Sequence, residues 1–126
     1  MQYKRNEYFR YSFNEPFEAT FRLIKDATDT SPEELSKKGI CQIIDISPNG
    51  LKISTEFLIA IDKLNHVEIQ FTLDEAPLSR IGEFIWSHRK VGGYEYGVKL
   101  LGDIKSEQEI INELKNRRKK EMMERK

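Results

Sequence analysis

GICQIIDISPNGLKIST, residues 39–55, sets two apolar, β-rich runs on either side of a short polar break, DISPNG at 45–50. Runs of this length, rich in isoleucine and bounded by turn residues, read as strands. Pro48 pre-sets φ for a turn, and Asn49 and Gly50 tolerate left-handed conformations. The stretch therefore predicts a hairpin, with GICQIID as one strand and LKIST as the next.

The same alternation extends outward in both directions. In FEATFRLI, residues 17–24, Phe17, Ala19, Phe21 and Leu23 share one face, as in a half-buried strand. Residues 26–38 are polar and contain Ser31-Pro32, which predicts a loop with one helical turn after the proline. FLIAIDKLNH reads as a strand end with a turn at Asp62 to His66. VEIQFTL then places Val67, Ile69, Phe71 and Leu73 on one face. LSRIGEFIWSH, 78–88, and YEYGVKLLG, 94–102, read as two strands joined by RKVGG, with Gly92-Gly93 supplying positive φ. The character changes after Gly102. Ser106 and Glu109 form an S-x-x-E capping box, and Ile110, Ile111 and Leu114 recur at helical spacing. KNRRKKEMMERK, at the end, is basic and suits a helix C-terminus. The apolar stripe of that helix could cap the sheet or pair two chains.

Six short strands in meander order followed by one helix predict an all-β fold, a small six-stranded antiparallel barrel with a C-terminal α-helix. The expected division is an N-terminal arm at 1–16, a barrel at 17–102, and a helix with basic tail at 103–126.

Bulk properties exclude several function classes. The chain has 126 residues, enough for one domain with a modest core. Its 21 acids balance 21 bases, so no global field draws it to nucleic acid or to an anionic membrane. The single cysteine, Cys41, rules out an intramolecular disulfide framework. No apolar run approaches the roughly 20 residues of a membrane helix, and the polar N-terminus lacks a secretory h-region. A cytoplasmic protein is expected. Chemistry is equally sparse. His66 and His88 lack metal-ligand spacing, Ser47 lacks a nucleophile elbow, and no phosphate-binding loop occurs. A binding module is expected, with no enzyme activity, no metal and no cofactor.

Two segments could hold an anion. The N-terminal KRNEYFRY sets Lys4, Arg5 and Arg10 among Tyr3, Tyr8 and Phe9. Arginine grips phosphate bidentately and stacks on flat rings. In DISPNG, Asp45 is an acceptor for guanine N–H groups, Ser47 offers a hydroxyl, and Gly50 leaves backbone open to approach. DISPNG matches D/N-x-S-x-x-G at Asp45, Ser47 and Gly50. With an arginine arm upstream and GGYEYGVKL downstream of a strand containing Trp86, the chain resembles the PilZ domain, a bacterial receptor module for cyclic di-GMP.

The resemblance spans about Lys4 to Leu101. It implies a six-stranded barrel with a helix after it, and an arm that closes over a dinucleotide docked on the barrel. Asp45, Ser47 and Gly50 would form the barrel half of the site, and Arg5 and Arg10 the arm half, with Lys4 and Asn6 as further contacts. It also implies relay to a downstream protein partner; the balanced charge and the short apolar runs add the expectation of no nucleic acid and no membrane insertion. The family's arm reads R-R-x-x-x-R, and here Asn6 stands at the second arginine. That departure defines the alternative: a degenerate PilZ adaptor that binds cyclic di-GMP weakly or not at all.

Overall fold

The structure, a computed structural model, describes residues 11–24, 38–62 and 66–124. Six strands are present: β1 (Tyr11–Ile24), β2 (Gly39–Ser47), β3 (Gly50–Thr55), β4 (His66–Thr72), β5 (Pro77–Lys90) and β6 (Gly93–Leu101). One helix follows, α1 (Ile104–Glu124). The loop expected within 26–38 falls almost wholly outside the described residues.

The strands close into a barrel in the order β1-β2-β3-β6-β5-β4, and every neighbouring pair is antiparallel. The barrel and helix match the sequence-based expectation; the simple meander does not. Two three-strand meanders meet instead, and β3 pairs with β6 rather than β4. β3 and β4 therefore stand on opposite sides of the ring, and the chain from 56 onward must cross the barrel mouth. This explains why FLIAI is apolar without being a strand. Ile59 is buried in the core cluster, and Phe57 meets Phe21 edge-on at 6.1 Å. The buried Tyr96 hydroxyl fixes the crossing. It accepts a hydrogen bond from Ile59 N (2.8 Å) and donates one to Phe57 O (2.9 Å).

Alternation fills the interior as predicted in β4, where Val67, Ile69 and Phe71 point inward and Leu73 follows them. β1 begins at Tyr11, six residues before the expected strand. Its pairing jumps from Ser12↔Asp45 to Phe17↔Ile43, so residues 13–16 are accommodated opposite residue 44 alone. Pro16, which has no N–H to donate, sits in this irregularity. The β5–β6 hairpin turns on Gly92 at φ 84°, the one positive φ among the described residues. Gly93, Asn49 and Gly50 do not share that conformation.

Helix α1 begins earlier than the capping box suggests. Asp103 is the cap, its Oδ1 accepting the Ser106 N–H at 2.9 Å, and that bond holds its carboxyl below the usual carboxylate range. Glu109 turns to Arg80 instead, at 2.6 Å. The apolar stripe caps the barrel: Ile110 and Leu114 are buried in the core cluster. The basic run does not lie in the last helical turn. Arg117 donates to Leu73 O and stacks over Phe17, while Lys120 pairs with Asp74 at 2.6 Å. These bases hold the helix on the barrel.

Cys41 is buried at 1% exposure, and burial pushes its thiol up to about 12. Iodoacetamide at pH 8 should leave the folded protein unmodified and alkylate it in denaturant, as read by mass spectrometry. Rapid native labelling would mean that the β1–β2 wall opens.

Candidate functional site: an open cleft on the outer barrel wall

Asp45 should point inward if β2 alternated strictly, since Cys41 and Ile43 do. It does not, because the β2–β3 register shifts between Ile43 and Asp45. The extra residue, Ile44, changes the parity, so Ile46 is the next inward side chain. A β-bulge re-aims a strand in this way. β5 repeats the device. Gly82 and Phe84 are buried, but the register shifts between Phe84 and Trp86, and Trp86 emerges on the outside.

The two bulges create an outward row across four strands. Asp45 pairs with Lys52, Lys52 with Gly97, and Gly97 with Trp86. The next row toward the turn runs Ser47, Gly50, Lys99 and Glu83. Except for Glu83, these residues floor an open cleft of about 640 Å³ that reaches from the turn to Ile85 and Trp86. The Trp86 indole lies directly over Gly97. A Cβ on Gly97 would overlap Nε1 and Cε2 and stand 2.7 Å from Cδ1. A glycine inside a strand often marks such close approach.

The turn itself is locked from within. Ser47 is 1% exposed, and its hydroxyl donates to Asn49 Oδ1 at 3.1 Å. Pro48 is buried beside it, and Asn49 O accepts the Leu100 N–H at 2.9 Å, tying the turn to β6. Both central residues keep negative φ, as in a type I turn with proline at its second position. Ser47 thus acts first on the shape of the turn.

Of the expected site residues, Asp45, Ser47 and Gly50 come together in one cleft. Lys4, Arg5, Asn6 and Arg10 lie outside the described residues. The strand that follows them is described: Tyr11 pairs with Ile46 and Ser12 with Asp45. The chain therefore enters the barrel beside the cleft. Tyr94 and Tyr96 belong to the interior, 6.4 Å apart, with Tyr96 fully buried. Trp86, Lys52 and Lys99 line the cleft; the sequence marked Trp86 only as part of a strand and not as a contact, and did not single out the lysines. One signal pointed to Trp86: in Phe84-Ile85-Trp86 the apolar run breaks the two-residue period.

Among the described residues no group of three His, Cys, Asp or Glu side chains could hold a metal ion. No helix among them is long and apolar enough to cross a membrane.

Comparison with known proteins agrees with this architecture. Structural similarity is found to the PilZ domain with c-di-GMP of YcgR from Escherichia coli, at TM-score 0.60 and 12% identity, over 94% of this chain and 98% of that one. It extends to the crystal structure of YcgR in complex with c-di-GMP from Escherichia coli, at TM-score 0.57 and 16% identity. That match covers 98% of this chain and 51% of the other, so this chain spans about half of that protein's length. At these identities the likeness is one of fold. A search of curated protein sequences finds no match. The sequence profile of the PilZ domain matches residues 4–116, which is most of the chain, and the chain belongs to the PilZ domain family.

Proposed function

We propose that this protein is a cytoplasmic bacterial receptor for cyclic di-GMP, a binding module that relays the messenger to a partner protein rather than an enzyme. The observation that carries the reading is the placement of Asp45, the Ser47 turn and Gly50 in one outward cleft, beside the strand into which the arginine arm leads. Cyclic di-GMP has two phosphates, two guanine edges and flat faces. Asp45 supplies an acceptor for guanine N–H groups, and the indole of Trp86 supplies a flat wall. Arg5 and Arg10 would supply planar forks for phosphate and faces for stacking. Lys4 and Asn6 would add contacts from the same arm. Ordering the arm against the barrel would change the surface offered to a partner.

Calorimetric titration with cyclic di-GMP tests this. Binding should appear at micromolar ligand. Arg10→Ala should weaken it about 10- to 100-fold, the worth of one charge-assisted hydrogen bond at about 1.5–3 kcal/mol. Ser47→Ala should weaken it about five- to tenfold by loosening the turn, a loss of about 1–1.4 kcal/mol. No heat at tens of micromolar ligand would remove the receptor reading.

Asn6 favours a second reading, a degenerate adaptor that keeps the fold and has lost the nucleotide. Asn6→Arg separates the two. Strong binding gained by this variant from a wild type with none would establish degeneration. A wild type that already binds would exclude it.

A further inference from the structure

We propose that Lys52 and Lys99 form a phosphate seat on the barrel wall, with Glu95 as the carboxylate that an incoming phosphate displaces. The inference rests on the cleft being the dinucleotide site and names the barrel groups that neutralise the ligand.

The register builds the seat. Lys52 stands opposite Gly97, and Lys99 stands opposite Gly50, on the neighbouring strands β3 and β6. The lysines are thus diagonal neighbours, close enough for two long side chains to converge on one anion. The remaining corners of the square are Gly50 and Gly97, which bring no side chains of their own, and the Trp86 indole lies over Gly97. Both lysines line the cleft that holds Asp45 and Ser47.

The charges around them are arranged to be given up. Lys52 Nζ lies 3.9 Å from Glu95 Oε1, while the other oxygen, Oε2, lies 3.7 Å from Lys90 Nζ. One carboxylate is divided between two ammonium groups, and both distances are at the long end for an ion pair. Exposed pairs of this kind contribute little. Glu83 faces Lys99 across β5–β6, yet its carboxylate is 3.5 Å from His66 Nε2. Lys99 has no ion pair among the described residues. Asp45, opposite Lys52, is the acid that lines the cleft itself. Lys52, held only by a long ion pair, and its diagonal neighbour Lys99, with no ion pair among the described residues, attract a doubly charged phosphate ligand. When phosphate reaches Lys52, Glu95 retains Lys90, so its charge is not stranded. The seat also offsets Asn6: positive charge missing from the arm is present on the wall.

Trp86 is the single tryptophan and lines the cleft, so its fluorescence reports occupancy. Wild type, Lys52→Gln, Lys99→Gln, Lys52→Arg and Glu95→Gln would each be titrated with cyclic di-GMP and, separately, with pyrophosphate. The two glutamine variants should each weaken cyclic di-GMP about five- to tenfold, in line with the loss of one charged contact. Lys52→Arg should bind as wild type, and Glu95→Gln should bind several-fold more tightly. Raising salt should shrink all these differences. Wild-type affinity for cyclic di-GMP in both glutamine variants overturns the seat and leaves the receptor reading standing. A wild type that ignores cyclic di-GMP but binds pyrophosphate through Lys52 and Lys99 keeps the seat and removes the receptor reading. No response to either ligand overturns both.

Discussion

Replacing Tyr96 with alanine should lower the unfolding free energy by about 3–5 kcal/mol, the usual cost of deleting a buried aromatic ring. That is a large part of the roughly 5–15 kcal/mol that holds a small domain together. The ring has no exposed surface and packs against Phe84 at 5.4 Å, so its loss leaves a void in the barrel. Phenylalanine isolates the hydroxyl. Tyr96→Phe keeps the ring but strands the Ile59 N–H and the Phe57 carbonyl, which should cost about 1–3 kcal/mol. Urea unfolding of the three proteins is the measurement, and the denaturant slope should stay constant. A phenylalanine variant as stable as wild type would show that the crossing chain is held by Ile59 packing and not by the hydroxyl. The same group gives a pH signature. Burial, opposed by the Ile59 hydrogen bond, raises the Tyr96 hydroxyl above its ordinary 10.0. The folded state then holds its proton more tightly than the unfolded state does. The resulting stability is complete below the ordinary value and is lost as pH rises through the raised one. Tyr96→Phe should flatten that alkaline decline.

What the sequence disclosed, and what it hid, follows from the range of each interaction. The inward set of β4, Val67, Ile69 and Phe71, was legible because burial of one sheet face imposes a two-residue period locally. DISPNG was legible because proline and glycine chemistry is local too. Ring order was not, since pairing β3 with β6 is decided by closure across the molecule. The role of Tyr96 was hidden for the same reason: its partners lie 37 and 39 residues away. Strand β1 was read too short because Pro16 looks like a boundary, whereas the strand absorbs it in an irregular stretch. The helix cap lies earlier than Ser106 and Glu109 suggest because Asp103, which has no glutamate three residues on, caps with its own carboxylate. The site divides along the same line. Asp45, Ser47 and Gly50 sit on one turn and could be named together. Trp86 and the lysines arrive from other strands, and one extra residue at Ile85 decides which way the indole faces.

Gly97→Val should weaken ligand binding severely while sparing the barrel. The indole of Trp86 occupies the space where a Cβ on residue 97 would go. Valine must push it aside, and the indole can move, since Trp86 is 40% exposed on the outer wall. The displaced atoms belong to a surface side chain and not to backbone. Valine also suits an outward strand position, so the thermal midpoint should change little. The cleft responds differently. Its flat wall is lost and its floor is raised between Lys52 and Trp86. Base stacking on an aromatic ring contributes about 1–3 kcal/mol, so affinity for cyclic di-GMP should fall on the order of a hundredfold once the raised floor is added. Trp86→Ala should lose the stacking share alone. Combining it with Gly97→Val should cost less than the sum, because both changes act through one contact. The indole moved into water should emit at longer wavelength, a readout that needs no ligand. Unchanged emission in Gly97→Val would show that the indole does not rest on residue 97. Shifted emission with unchanged affinity would take Trp86 out of the site and confine binding to the turn, the arm and the lysine pair.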